Sequence, residues 1–178
     1  MEPLTTTDDY IEFNNGELEK IGMRSLKNRT KHECNELYKK YHNVLLDYEK
    51  NKICLTAVES IDSGKRNIIY KFILTSDYPF KPPEIYVNNH LYSTMLQMKG
   101  DLEKDMVKKL KGQECLCCHS LNCHANWTPA IRLYRIIDEI KDTLKFKRDI
   151  INLILVDKIK KKYNIPYAYI EKYLVSNI

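Results

Sequence analysis

No apolar run in this sequence is long enough to span a membrane. The longest candidate, Ile150 to Val156, is interrupted by Asn152, whereas a spanning helix needs about 20 predominantly apolar residues. The opening Met1-Glu2-Pro3-Leu4 has neither the basic nor the apolar segment that a secretory signal uses. The expected setting is therefore a reducing compartment, cytoplasmic or nuclear, with no membrane partner. Clustered cysteines there serve as thiolates or metal ligands rather than as disulfides. The formal glycosylation sequons at Asn28 and Asn126 are discounted on the same ground. No arginine-rich stripe with interleaved aromatics occurs either, which disfavours nucleic acid as a partner. Finally, no basic residue precedes Lys20. Six acidic ones do, so the formal net charge of +5 hides a more strongly basic body.

What is present suits one globular domain. A chain of 178 residues can bury one sizeable core but is short for two, and 43% apolar with 30% charged residues argues against extensive disorder. Residues 1–21 read as a polar, acidic lead-in, with Asn14-Asn15-Gly16 as a turn. Residues 22–178 read as the domain, with a helical extension from about residue 145.

From Gly22 to Tyr41, Leu26, Thr30, Cys34 and Leu37 fall at helical spacing, with Lys27, Arg29, Lys31 and Lys39 elsewhere around the cylinder. Three strand-like runs follow, Asn43 to Tyr48, Ile53 to Val58 and Asn67 to Leu74, the last with Tyr70, Phe72 and Leu74 alternating. A fourth, Glu84 to Val87, comes after Asp77-Tyr78-Pro79-Phe80-Lys81-Pro82-Pro83, whose prolines lack the N–H that a ladder needs. That segment is a strap rather than a strand. Asp101 to Leu110 reads as a short helix with Leu102, Met106 and Leu110 on its apolar face and Gly112 as its stop. Helical patterns run from Thr128, where a Thr-Pro pair suits a helix start, to Leu144, then from Arg148 to Tyr163 and Tyr167 to Leu174. Strands and helices segregated in this order predict an α+β fold: an N-terminal helix, a four-stranded antiparallel meander and C-terminal helices.

Between the last strand and those helices lies the stretch Gln113 to Pro129. It holds four of the six cysteines (Cys115, Cys117, Cys118, Cys123), two of the five histidines (His119, His124) and the only tryptophan, Trp127. A thiolate is both a good nucleophile and a good leaving group, and the same residues offer soft ligands to a metal. Cys34 and Cys54 fall on apolar faces and are expected to be buried.

The strap Tyr78-Pro79-Phe80-Lys81-Pro82-Pro83 and the motif Trp127-Thr128-Pro129-Ala130, with a cysteine loop between them and a helix and strands before, resemble the ubiquitin-conjugating enzymes, from about Gly22 to Leu144. The resemblance implies that fold. It also implies an activity: ubiquitin or a similar modifier is accepted from an activating enzyme as a cysteine thioester and passed to a lysine amine, usually with a ligase and without a cofactor. By the same resemblance Phe80, Pro129 and Ala130 match ligase-binding positions, and Lys27, Arg29 and Lys31 would face the activating enzyme. Two cysteines fit the nucleophile. Gly112-Gln113-Glu114-Cys115-Leu116 matches the family's approach to the cysteine, while Cys118, nine residues before Trp127, better matches the distance to the tryptophan; Cys117 ranks third. The family's His-Pro-Asn motif is missing. Asn88, Asn89, Asn122 and Asn126 are the amides that could replace its oxyanion donor. The alternative reading is an inactive binding module in which Cys115, Cys118, Cys123 and His119 or His124 hold a structural zinc.

Overall fold

The computed structural model describes residues 24–41, 43–49, 52–61 and 66–164. The lead-in 1–21 and the helix expected at Tyr167–Leu174 lie outside them. Helix α1 (Arg24–Tyr41) opens the described chain, followed by strands β1 (Asn43–Glu49), β2 (Lys52–Ile61), β3 (Arg66–Leu74), β4 (Glu84–Val87) and β5 (His90–Leu91). Helices α2 (Tyr92–Met95), α3 (Asp101–Lys111) and α4 (Leu133–Tyr163) complete it. The fold is α+β, as expected, but its sheet has five strands rather than four, in the order β1-β2-β3-β4-β5 with every neighbour antiparallel. The added strand follows a two-residue turn. Asn88 and Asn89 have φ of 47° and 66°, the left-handed pair that a tight hairpin demands and that asparagine tolerates well. Asn88 also extends the β3–β4 ladder, accepting the Ile69 N–H on Oδ1 at 2.9 Å and donating its own N–H to the Ile69 carbonyl at 2.9 Å.

The expected alternation places Tyr70, Phe72 and Leu74 of β3 in the core, opposite Ala57, Leu55 and Ile53 of β2. Phe72 also pairs with Ile85, and Tyr70 with Val87. Helix α1 adds Thr30, Cys34, Leu37 and Tyr41 from one face, and α4 adds Leu133, Ile136, Ile137, Ile140 and Ile150. Cys34 and Cys54 are both buried, as expected. Burial pushes the Cys34 thiol up to about 12, with the Glu33 charge adding to the effect, so that thiol is inert.

Helix α3 ends at Gly112, whose φ of 67° is the left-handed cap anticipated from its sequence. Asp101 and Glu103 in its first turn and Lys108, Lys109 and Lys111 in its last complement the helix dipole. Its buried face differs in part from expectation: Val107 is buried and Met106 is half-buried against the core, whereas Leu102 and Leu110 are exposed. The helix packs along α4.

Two expectations about α4 are corrected. Thr128-Pro129 does not start it. Residues 128–131 form a turn closed by the Ile131 N–H on the Thr128 carbonyl at 3.0 Å, Arg132 is extended, and the helix begins at Leu133. The reason is a cap supplied from outside the local sequence: the Leu133 N–H donates to Glu33 Oε2 of α1 at 3.0 Å. Nor does the helix break between Leu144 and Arg148. It runs unbroken for 31 residues, about 46 Å at the standard rise. Lys147 supports the junction, donating to the carbonyls of Met95 and Gln97 at 2.8 and 2.7 Å and pairing with Glu103 at 3.1 Å. Among the described residues, no helix is long and apolar enough to cross a membrane.

Candidate functional site

The cysteine loop runs from Gly112 to Arg132, between α3 and α4. Leu116, buried, pins its first part to the core. A 3-10 turn, Cys117–His119, then lifts Cys117, Cys118 and His119 into solvent. Beyond it, Ser120 is buried again and donates its hydroxyl to Glu139 Oε1 of α4 at 2.6 Å, while the Leu121 N–H donates to Glu139 Oε2 at 2.6 Å. Tyr92 of α2 donates its hydroxyl to the same Oε1 at 2.8 Å. One carboxylate therefore holds the loop, α2 and α4 together. Charge-assisted bonds of this kind are the strong ones.

Asn126 closes the loop from the other side, its Nδ2 donating to the carbonyls of Cys118 at 2.8 Å and Ser120 at 3.0 Å. The Trp127 indole N–H donates to the Pro79 carbonyl of the strap at 2.8 Å, and its ring lies 6.0 Å from that of Tyr78. The Tyr78–Pro79 peptide is cis. These contacts tie the loop to the strap. Phe80 follows Pro79 and is 77% exposed, and Pro129 and Ala130, just past Trp127, are also exposed.

Three sulfurs meet on this frame. The Sγ atoms of Cys115, Cys117 and Cys118 all lie within 4.8 Å of one another, with Cys117 and Cys118 3.9 Å apart. Among the described residues no other cluster of His, Cys, Asp or Glu reaches three. Cys123 is half-buried, His119 and His124 are exposed, and all three stand outside the group. The ligand set expected for a structural zinc is thus not assembled, because the turns after Ser120 carry Cys123 and His124 away. Within the cluster the thiols are unequal. Hydrogen bonds from the Cys118 thiol and backbone N–H, and then from Cys117, hold Cys115 below the ordinary thiol value. Cys118, whose thiol donates to Cys115, is pushed up to about 12.

A groove of about 530 Å³ lies between the loop and α4. Leu116, His119 and Ser120 line it from the loop, and Arg135, Glu139 and Asp142 from the helix.

The remaining candidates are dispersed. Asn88 and Asn89 build the β4–β5 turn, and Asn126 spends both amide protons on the loop's own carbonyls. Lys31 is exposed, whereas the side chain of Lys27 lies outside the described part of the chain. Arg29 is turned inward: it pairs with the fully buried Glu33 at 2.8 Å and donates to the Ile131 carbonyl at 2.7 Å, so it is removed from any docking face. The functional residue that sequence reasoning missed is Glu139. Its only sequence signal is its place between Ile136 and Ile140 on the flank of the apolar stripe. No family model, no curated protein and no solved structure matches this chain.

Proposed function

We propose that the chain is a ubiquitin-conjugating-type carrier with the corresponding fold, working in a reducing compartment, cytoplasmic or nuclear. It accepts ubiquitin or a similar modifier from an activating enzyme as a thioester on Cys115 or Cys118. The carrying observation is that the thiol loop is bonded, through Trp127 to Pro79, to a strap that exposes Phe80, while Pro129 and Ala130 of the loop, just past Trp127, are exposed as well. A reactive sulfur and a protein-docking surface are thereby mechanically joined. The helix, antiparallel meander, proline strap, cysteine loop and long helix, in that order, support the same reading.

In the first step the cysteine thiolate attacks the modifier's thioester carbonyl and the activating enzyme's thiolate leaves. In the second a lysine amine attacks the new thioester, the cysteine thiolate leaves, and the amine's extra proton passes to solvent or a base. No metal or cofactor takes part. An oxyanion donor must come from elsewhere than Asn126, whose amide protons are both engaged. The test is a charging assay with activating enzyme, ATP and ubiquitin, resolved with and without reductant, for the native chain and for Cys115→Ser, Cys117→Ser and Cys118→Ser. A reductant-sensitive adduct lost in one of the Cys115 and Cys118 variants supports the reading and names the sulfur. Absence of any adduct with ubiquitin or a ubiquitin-like modifier overturns it.

A further inference from the structure

The thiol cluster has more sulfur than a thioester needs. One nucleophile suffices for carrying a modifier, yet three Sγ atoms sit within 4.8 Å of one another, and the pair Cys117 and Cys118 is 3.9 Å apart. Three sulfurs bound to one ion at about 2.3 Å stand about 3.8–4.0 Å from each other, from the tetrahedral to the trigonal limit. The Cys117–Cys118 pair already has that spacing, and the widest separation exceeds it by less than about 1 Å, within the reach of a χ1 adjustment. The backbone that presents the sulfurs is held from within by Leu116 in the core and after the turn by Glu139 and Asn126. The ligands are in this sense preorganised. No carboxylate or imidazole belongs to the group, and an all-sulfur donor set selects soft d10 cations over magnesium, calcium or manganese.

We propose that Cys115, Cys117 and Cys118 form a three-thiolate site for a soft d10 cation, zinc(II) or copper(I), and that its occupancy blocks thioester formation. Each ligating thiol gives up its proton, so binding releases as many as three protons and forms three metal–sulfur bonds without change of oxidation state. Copper(I) completes a trigonal site with the three sulfurs alone; zinc(II) adds a water on the exposed side. The regulatory half rests on the carrier reading above: Cys115 and Cys118 cannot both ligate a metal and offer a sulfur to a modifier. Metal and modifier are then mutually exclusive occupants of one loop.

The experiment uses the reduced full chain under anaerobic conditions, with zinc(II) in one arm and copper(I) in the other, each against a competing chelator, and counts metal per chain. The expected result is one equivalent in at least one arm, with affinity falling about tenfold or more on substitution of any one of the three cysteines by serine, and unchanged in Cys123→Ser. No stoichiometric metal in either arm, or equal loss in Cys123→Ser, overturns the site. The metal-loaded native chain is then put through the charging assay. Charging that is absent with metal and restored by chelator supports the exclusion, and charging unaffected by bound metal overturns it. If the metal-free chain does not charge at all, the carrier reading and the exclusion that rests on it both fail, while the metal count still decides the site.

Discussion

Two carboxylates organise this molecule, and they do so differently. Glu33, on α1, is fully buried. It gathers Arg29 at 2.8 Å, Arg132 at 3.5 Å, the Tyr78 hydroxyl at 3.2 Å and the Leu133 N–H at 3.0 Å. Glu139, on α4, is half-buried and accepts hydrogen bonds from Ser120, Leu121 and Tyr92, with no cation among them. The first joins scaffold to scaffold: α1, the start of α4 and the strap. The second joins scaffold to site. A buried charge must be compensated where it sits, so Glu33 brings two arginines inward. A carboxylate at the margin can be satisfied by neutral donors and spend its strength on a loop.

The largest expected effect follows from that difference. Glu33→Ala leaves Arg29 in the interior without its partner, removes the cap of α4 and strands the Tyr78 hydroxyl. Breaking a buried pair from one side costs about 3–5 kcal/mol, and denaturant unfolding should show a loss of that size with the slope unchanged. Burial holds the Tyr78 hydroxyl far above its ordinary value, so it stays a donor, and Tyr78→Phe should reproduce a smaller part of the loss. A Glu33→Ala loss no greater than that of Tyr78→Phe would mean the arginines are satisfied elsewhere.

Next comes Glu139→Ala. Three donors lose their acceptor, two of them in the cysteine loop, for a stability loss of about 1–3 kcal/mol. The site should suffer more than the scaffold. Amide exchange at Leu121 and its neighbours should rise while that of β2 and β3 holds, and the charging rate should fall about tenfold or more, since misplaced reacting groups are costly. Equal loosening of sheet and loop would erase the distinction between the two carboxylates.

Why sequence reasoning found the frame but not these two residues is a matter of period. Tyr70, Phe72 and Leu74 alternate because one face of β3 is wet, and Gly112 terminates α3 because a left-handed cap favours glycine; both are local and can be read from the chain. Glu33 falls on α1's apolar stripe, where a carboxylate reads as an interruption, and its partners come from residues 78, 132 and 133. That pairing is tertiary. It displaces the start of α4 from Thr128 to Leu133 and turns Arg29 inward, the two places where local reading and structure part most clearly. The strand β5 was missed because two residues carry no period. The thiol cluster was half legible: its residues were named, but only the 3-10 turn decides that Cys117 joins Cys115 and Cys118 while Cys123 does not.

Trp127→Phe tests the link between loop and strap with a smaller effect. It deletes the indole donor to the Pro79 carbonyl while keeping an aromatic ring near Tyr78, a loss of about 1 kcal/mol. Charging should change little, because the sulfurs keep Glu139 and Asn126. On the carrier reading proposed above, ligase-stimulated discharge should fall more, because the bond that ties the strap to the loop is lost. A fall in charging equal to the fall in discharge would place Trp127 with the sulfurs rather than with the docking surface.

The smallest effect sharpens the comparison most, because it concerns the residue next to Glu139. Asp138 carries the same charge one position earlier on α4, about 100° around the helix, and it pairs with Lys40 at 3.0 Å with both side chains well exposed, 50% and 43%. An exposed pair of that kind is worth about 0.2–1 kcal/mol and is screened by salt. Asp138→Asn should therefore shift the melting temperature slightly at low salt and negligibly at high salt. It should leave both charging and loop exchange as they were. Glu139→Ala, one residue on, should keep most of its effect in high salt, since its bonds run to neutral donors behind the loop. If the two variants respond alike to salt, Glu139 is a surface charge like its neighbour, and the cysteine loop is held by Leu116, Asn126 and Trp127 without it.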